Sequence, residues 1–201
     1  MGSAHQVGHR EDPGHGGLSF PDSVRIEPAT AADACSVAQV HVRAWQVAYT
    51  GILADDFLAA LSVEKRETMW REAIEKQSPE LLVARVGDDV IGWVSFDASR
   101  DKGAPAQIGE IWALYVDPSH WAGGVGRALL QRARERLNER GFASIGLWVL
   151  AANARAIRFY EAAGFARDAG SAQSFELGGR PVQELRYTLT TAACRSPSAA
   201  A

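Results

Sequence analysis

Apolar positions along this chain fall into two rhythms, one near every third or fourth residue and one close to alternation or unbroken. The first stretch after residue 22, Val24 to Pro28, reads as a short strand, and Thr30 is placed to cap a helix running to about Tyr49. Ala34, Ala38, His41, Trp45 and Ala48 fall on one face of that helix, and Val37, Val40, Ala44 and Val47 on the neighbouring one. So wide an apolar arc predicts a helix held between two packing partners. Gly51 breaks it. A short helix is expected from Asp55 or Asp56 to Leu61, and Ser62 caps another that runs to about Gln77.

The rhythm then changes. Leu81 to Val86 and Val90 to Phe96 read as strands joined in a hairpin at Gly87-Asp88-Asp89, and Ile108 to Val116 as the next strand. Val125 to Arg140 returns to helical spacing, with Val125, Leu129, Leu130, Ala133 and Leu137 on one face and Gly141 as the stop. Ser144 to Val149 is strand. Asn153 caps a helix ending at Gly164, with Phe165 set to pack back on its last turn. Phe165 to Leu177 and Pro181 to Leu189 form a closing hairpin around Gly178-Gly179. The order β-α-α-β-β-β-α-β-α-β-β predicts an α/β (α+β) domain: a mixed, mostly antiparallel central sheet with helices on both faces. Residues 1–22, rich in Gly, His and Pro, and 191–201 read as tails, leaving one domain over 23–190.

Composition narrows the class. With 201 residues and 47% apolar content the chain can bury one core of ordinary size. A net charge of −3 gives no general attraction to nucleic acid or anionic membrane. No segment approaches the ~20 apolar residues needed to span a bilayer, and the N-terminus lacks the apolar run of a signal peptide. Cys35 and Cys194 show no metal or redox spacing, and the tail histidines His5, His9 and His15 have no partner ligands, so no metal is expected. These readings point to the cytoplasm.

The most informative segment is Glu110 to Leu130, EIWALYVDPSHWAGGVGRALL. A buried strand passes through a Gly-rich loop into a helix, which aims backbone N–H groups and the positive helix end at one point, the geometry of a phosphate or diphosphate site. It is not a Walker loop, because Gly126 is followed by Arg127 and Ala128. Nor is it a dinucleotide-binding loop, because Leu129 stands where a third Gly or Ala is needed. Glycine at 124 and 126 lets the loop backbone approach phosphate without an intervening Cβ.

Together with a second segment, LWVLAANARAIRFYEAAGF, this chain resembles the GNAT superfamily of acetyl-CoA-dependent N-acetyltransferases over about residues 24–190. Trp121-Ala122-Gly123-Gly124-Val125-Gly126 matches the family's R/Q-x-x-G-x-G/A loop. The second segment matches a strand, then Asn153, Tyr160 seven residues on, and Gly164-Phe165. The departures are Trp121 for the usual Arg or Gln and Ala122 for a frequent Gly; Arg127 could replace the missing charge.

The resemblance implies acetyl-CoA as co-substrate and strands that splay at the cofactor site. Leu114, Tyr115 and Val116 would meet the pantetheine arm by strand-like pairing, and Trp121 through Ala128 would meet the phosphates. Asn153 would cap its own helix and touch the pantetheine or nearby backbone. Glu110 is the implied general base, acting through a water, and Tyr160 the implied acid that protonates the departing thiolate. The acetyl oxygen would take a backbone N–H near Leu114.

For His41 a core or pocket-wall place is expected, and His120, on the loop, is left out of the catalytic set. Trp45, Tyr49, Phe57, Trp70, Trp93, Phe96 and Trp112 give the first helices and central strands an aromatic character. An acceptor amine on an apolar or aromatic body, in a small molecule or a peptide, fits that character. A homodimer is left open, and a non-catalytic acyl-CoA-binding module is the alternative to an enzyme.

Overall fold

A computed structural model describes residues 24–190. The tail assignments for 1–22 and 191–201 lie outside the described residues. Strand β1 (Arg25–Pro28) leads through a turn at Ala31–Asp33 into α1 (Ala34–Ala48), α2 (Asp55–Ala59) and α3 (Val63–Lys76). Then follow β2 (Glu80–Val86), β3 (Asp89–Ala98), β4 (Ile108–Val116), α4 (Val125–Glu139), β5 (Ser144–Leu150), α5 (Ala154–Ala162), β6 (Ala166–Arg167), β7 (Gln173–Leu177) and β8 (Arg180–Thr190). The sheet order is β1-β2-β3-β4-β5-β8-β6, with β7 also on β8; every pairing is antiparallel except β4 with β5.

The expected caps form, with one refinement. Ser62 Oγ accepts from the Lys65 N–H at 3.1 Å, and Asn153 Oδ1 from the Ala156 N–H at 3.1 Å. Thr30, however, starts a 3₁₀ turn instead of α1 itself: the Asp33 carboxylate accepts from its N–H and hydroxyl, and only then does the helix begin. Val47 is 50% exposed, so the apolar arc of α1 is narrower than its sequence suggests.

One core packs α4 and α5 on one face of the sheet through Leu129, Leu130, Ala133, Leu137, Ile145, Leu147 and Tyr160. The other face buries α1 and α3 through Val37, Ala38, Val40, Trp70, Val83 and Trp93. Two strand glycines let α4 settle closely: a Cβ at Gly92 would meet a Leu129 methyl at 3.2 Å, and one at Gly109 a Leu137 methyl at 2.9 Å.

The predicted strand Phe165–Leu177 is two pieces. Between β6 and β7 the chain leaves the ladder at Asp168–Ala172 and is tied to β8 mainly by side chains: Ser171 Oγ accepts from the Arg186 N–H at 3.1 Å, and Thr188 Oγ1 donates to Asp168 at 2.8 Å. Phe165 itself is buried and its N–H bonds the Tyr160 carbonyl at 3.0 Å, closing α5 as expected. Among the described residues no helix is long and apolar enough to cross a membrane.

Candidate active site

Two irregularities in β4 make the site. A bulge falls at Trp112, because Ser95 pairs with Ala113 and Phe96 with Ile111. The bulge resets the side-chain alternation: Ile111, Leu114 and Val116 pack on the α4 side, and Ala113 and Tyr115 on the α1 side. Further on, β4 and β5 separate. Their parallel pairing runs only from Ile108 with Ser144 to Ile111 with Leu147, while β5 continues on β8 to Leu150 and β4 on β3 to Val116. A wedge opens between the two strands.

The ladder register fixes what faces that wedge. The Asp117 N–H bonds the Ile91 carbonyl at 2.8 Å, and Gly92 stands opposite Val116. In an antiparallel ladder bonded and non-bonded pairs alternate, so the N–H and C=O groups of Leu114 and Val116 point away from β3, toward the wedge. The Trp121 indole N–H reaches the Val116 carbonyl there at 2.8 Å.

The loop beyond β4 is built by its own residues. Asp117 accepts from the Ser119 N–H at 3.0 Å and from Arg43 at 2.7 Å, which sets the turn Pro118–His120. These donors hold the Asp117 carboxyl below its usual range against the opposing effect of burial. Ala122 has φ 65° and Gly124 φ 83°, and helix α4 starts immediately after. The first helical bond is from the Ala128 N–H to the Gly124 carbonyl at 3.0 Å. The preceding amides of Val125, Gly126 and Arg127 therefore lack intrahelical acceptors. They border a cavity of about 550 Å³ that extends from this loop past Leu114, Tyr115 and Val116 to Tyr160 on α5.

Of the residues singled out from sequence, Leu114, Tyr115, Val116, Trp121, Ala122, Gly124, Val125, Gly126, Arg127 and Tyr160 line this one cavity. Gly123, Ala128 and Asn153 do not: the Ala128 amide is spent on the helix, and the Asn153 carbonyl oxygen on its cap. Gly126 has ordinary helical geometry, and a Cβ there would meet the Phe159 ring at 3.6 Å and Leu114 at 3.7 Å. Its missing side chain keeps the slot open; it does not serve the backbone.

Tyr160 is buried, with Phe159 and Phe165 against it edge-on at centroid distances of 5.0 and 5.8 Å. Burial, and then the nearby Tyr49, push its phenol well above the ordinary tyrosine range, so it is protonated at neutral pH. The Tyr49 and Tyr115 hydroxyls are 3.0 Å apart, and burial raises both phenols.

Glu110 stands apart from this cavity. It is 1% exposed, and both oxygens are engaged: Oε1 by the Arg100 guanidinium (Nε at 2.9 Å, and Nη2), Oε2 by the Arg100 N–H at 2.8 Å and Ser99 Oγ at 3.3 Å. Four donors fill the four lone-pair sites of a carboxylate. Arg100 in turn lies over the Trp112 ring at 4.6 Å.

His41 is a core residue. Its Nδ1 accepts from the Trp70 indole at 3.0 Å, and rings of Trp45, Trp93 and Tyr115 surround it. Burial, then the charge of Arg66, lower its pKa to about 3.

Sequence reasoning missed Arg155 and Phe159 on α5, and Ala44 and Ala48 on α1, all of which line the cavity, as does His120. Arg155 carried a signal. A cation in the first turn of a helix opposes the macrodipole and calls for an explanation elsewhere. No cluster of metal-binding side chains occurs among the described residues.

A strand wedge with open backbone groups, facing a Gly-rich helix start and a buried phenol, is the geometry of an acyl-thioester transferase. The model of the Acetyltransferase (GNAT) family matches residues 46–165. An uncharacterized N-acetyltransferase of Bacillus subtilis, YuaI, is 30% identical over 166 residues, 81% of this chain and 90% of the relative. Among solved structures, the PaiA N-acetyltransferase of Thermoplasma acidophilum in complex with coenzyme A superposes with a TM-score of 0.69 at 19% identity, over 84% of this chain and 99% of that one. YncA of Salmonella typhimurium, a putative acetyltransferase solved with acetyl-CoA, gives 0.67 at 24% identity, over 88% and 99%. The chain belongs to the GNAT family and is an acetyltransferase.

Proposed function

We propose that this protein transfers the acetyl group of acetyl-CoA to a primary amine of a small molecule or peptide by direct attack. The observation that carries this reading is the convergence on one cavity of the open β4 edge, the free amides of Val125, Gly126 and Arg127, and Tyr160. The amides suit the donor's diphosphate. The Leu114 and Val116 backbone groups suit the two amides of its pantetheine arm, with one acceptor, the Val116 carbonyl, shared with Trp121.

In the reaction the amine nitrogen bonds to the acetyl carbon as the carbon–sulfur bond breaks. The thiolate takes the Tyr160 proton, and the surplus proton of the amine goes to a base. A Leu114 N–H facing the wedge suits the developing oxyanion. We assign the base to Glu110, through water. Because all its lone-pair sites are filled, this role requires Arg100, whose side chain is half exposed, to turn outward first. The apolar cluster of Tyr49, Phe57, Leu177 and Val182, packed together next to Ala48 and Tyr115 of the cavity lining, supports an acceptor with an apolar or aromatic body.

The test is release of free thiol from acetyl-CoA with a panel of primary amines. Amine-dependent release supports the proposal. Coenzyme A binding without release from any amine favours a binding module instead.

A further inference from the structure

Trp121 stands in the loop before α4, and a cation from α5 lies against its ring. The indole is fixed on one side by its bond to the Val116 carbonyl and its packing against the core. On its other face lies the Arg155 guanidinium, 3.1 Å from the ring centroid. Stacking uses the face of a guanidinium and leaves its in-plane N–H donors available. None of those donors has a hydrogen-bond or carboxylate partner among the described residues, and nearby burial lowers the Arg155 pKa without any charge to offset it. The side chain is thus oriented and partly dehydrated, with its donors turned to no other group among the described residues.

Its surroundings favour an oxyanion. Arg155 sits in the first turn of α5, where the helix dipole disfavours a cation unless an anion lies beside it. It borders the same cavity as the free amides at the start of α4, so two walls of one slot present donors. A diphosphate has oxygens for both.

We infer that Arg155, held on the Trp121 ring, binds phosphate oxygens of the acyl donor, and among its phosphates the diphosphate. This rests on the acetyl-CoA reading above. Trp121 is then a platform: it orients Arg155 and makes no phosphate contact itself.

The experiment compares affinities of the parent, Arg155→Ala and Arg155→Lys for acetyl-CoA, 3′-dephospho-acetyl-CoA and acetyl-pantetheine. Arg155→Ala is expected to weaken both phosphorylated donors by about tenfold or more, as for a charge-assisted contact, and to leave acetyl-pantetheine unchanged. Arg155→Lys should recover part of the loss. The melting temperature of Arg155→Ala should change little, since relief of the cation at the α5 N-terminus offsets loss of its contact with the Trp121 ring. Equal losses on all three donors, or a loss confined to the donor with a 3′-phosphate, overturn the assignment. If the parent binds while Arg155→Ala binds equally well, this site alone fails. If the parent binds none of the three, the donor reading fails and the site with it.

Discussion

At the scale of single residues, Glu110 shows what a sequence position conveys and what it leaves out. Its place on the strand before the loop was legible; its partner was not. Arg100 lies ten residues earlier, in a polar stretch with no periodic signal, and only the fold brings its guanidinium and N–H onto the carboxylate. The same holds for Arg155 on Trp121, a contact between two segments that the chain order keeps 34 residues apart. For Glu110 the expectation is sharp. Glu110→Gln should lower turnover on the order of a hundredfold near neutral pH, where the amine needs a base, and less at alkaline pH, where free amine is abundant. A pH–rate profile that falls uniformly and keeps the parent's shape would remove Glu110 from proton transfer and leave it as the anchor of Arg100.

At the scale of elements, the helices and central strands were legible because their apolar spacing is regular. The features that create the site are departures from regularity. The Trp112 bulge and the separation of β4 from β5 leave no trace in hydropathy; the wedge was reached through resemblance. The break between β6 and β7 had a local sign in Asp168-Ala169-Gly170-Ser171, a turn-forming composition, but Phe165 and Phe175 on either side masked it as one strand. In the loop before α4, Ala122 holds its place with a left-handed backbone at φ 65°. Glycine adopts that conformation freely, and the strain on an alanine is about 1 kcal/mol or somewhat more. Ala122→Gly should therefore stabilise the protein by up to about 1 kcal/mol, a rise of roughly 2–4 °C in Tm for a domain of this size. Thermal unfolding that shows a lower Tm would mean the loop gains nothing from the release.

At the scale of the whole molecule, the two faces of the sheet contribute unequally to the site. The α4–α5 face builds most of the cavity, with Ala44 and Ala48 of α1 and Tyr115 closing it, and the rest of the α1–α3 face is a core in which His41 sits 5% exposed among aromatic rings. That core makes stability depend on pH. The folded pKa of His41, about 3, lies below its ordinary 6.5, so between these values the unfolded chain binds a proton that the folded one refuses. Stability is complete above about pH 6.5 and declines as pH falls, by up to about 1.4 kcal/mol per pH unit. Between pH 6.5 and 4.5 the loss from this residue should reach roughly 2 kcal/mol, above the range in which the paired carboxylates of Asp33 and Asp117, both held low, begin to protonate. Denaturant unfolding of His41→Gln across that interval should show a flatter dependence than the parent; identical slopes would mean that His41 takes up its proton without unfolding.

If the donor's diphosphate lies on the amides opening α4 with its arm along β4, as proposed, Gly126 borders its path. A Cβ at this position meets Phe159 and Leu114 at ordinary contact distances, so a larger side chain there is expected to project into the slot. Calorimetric titration of acetyl-CoA into the parent and into folded Gly126→Val tests that placement directly. Binding to the parent and a loss of at least tenfold in the variant, about 1.4 kcal/mol or more, are expected; unchanged affinity in a variant that melts like the parent would place the diphosphate elsewhere.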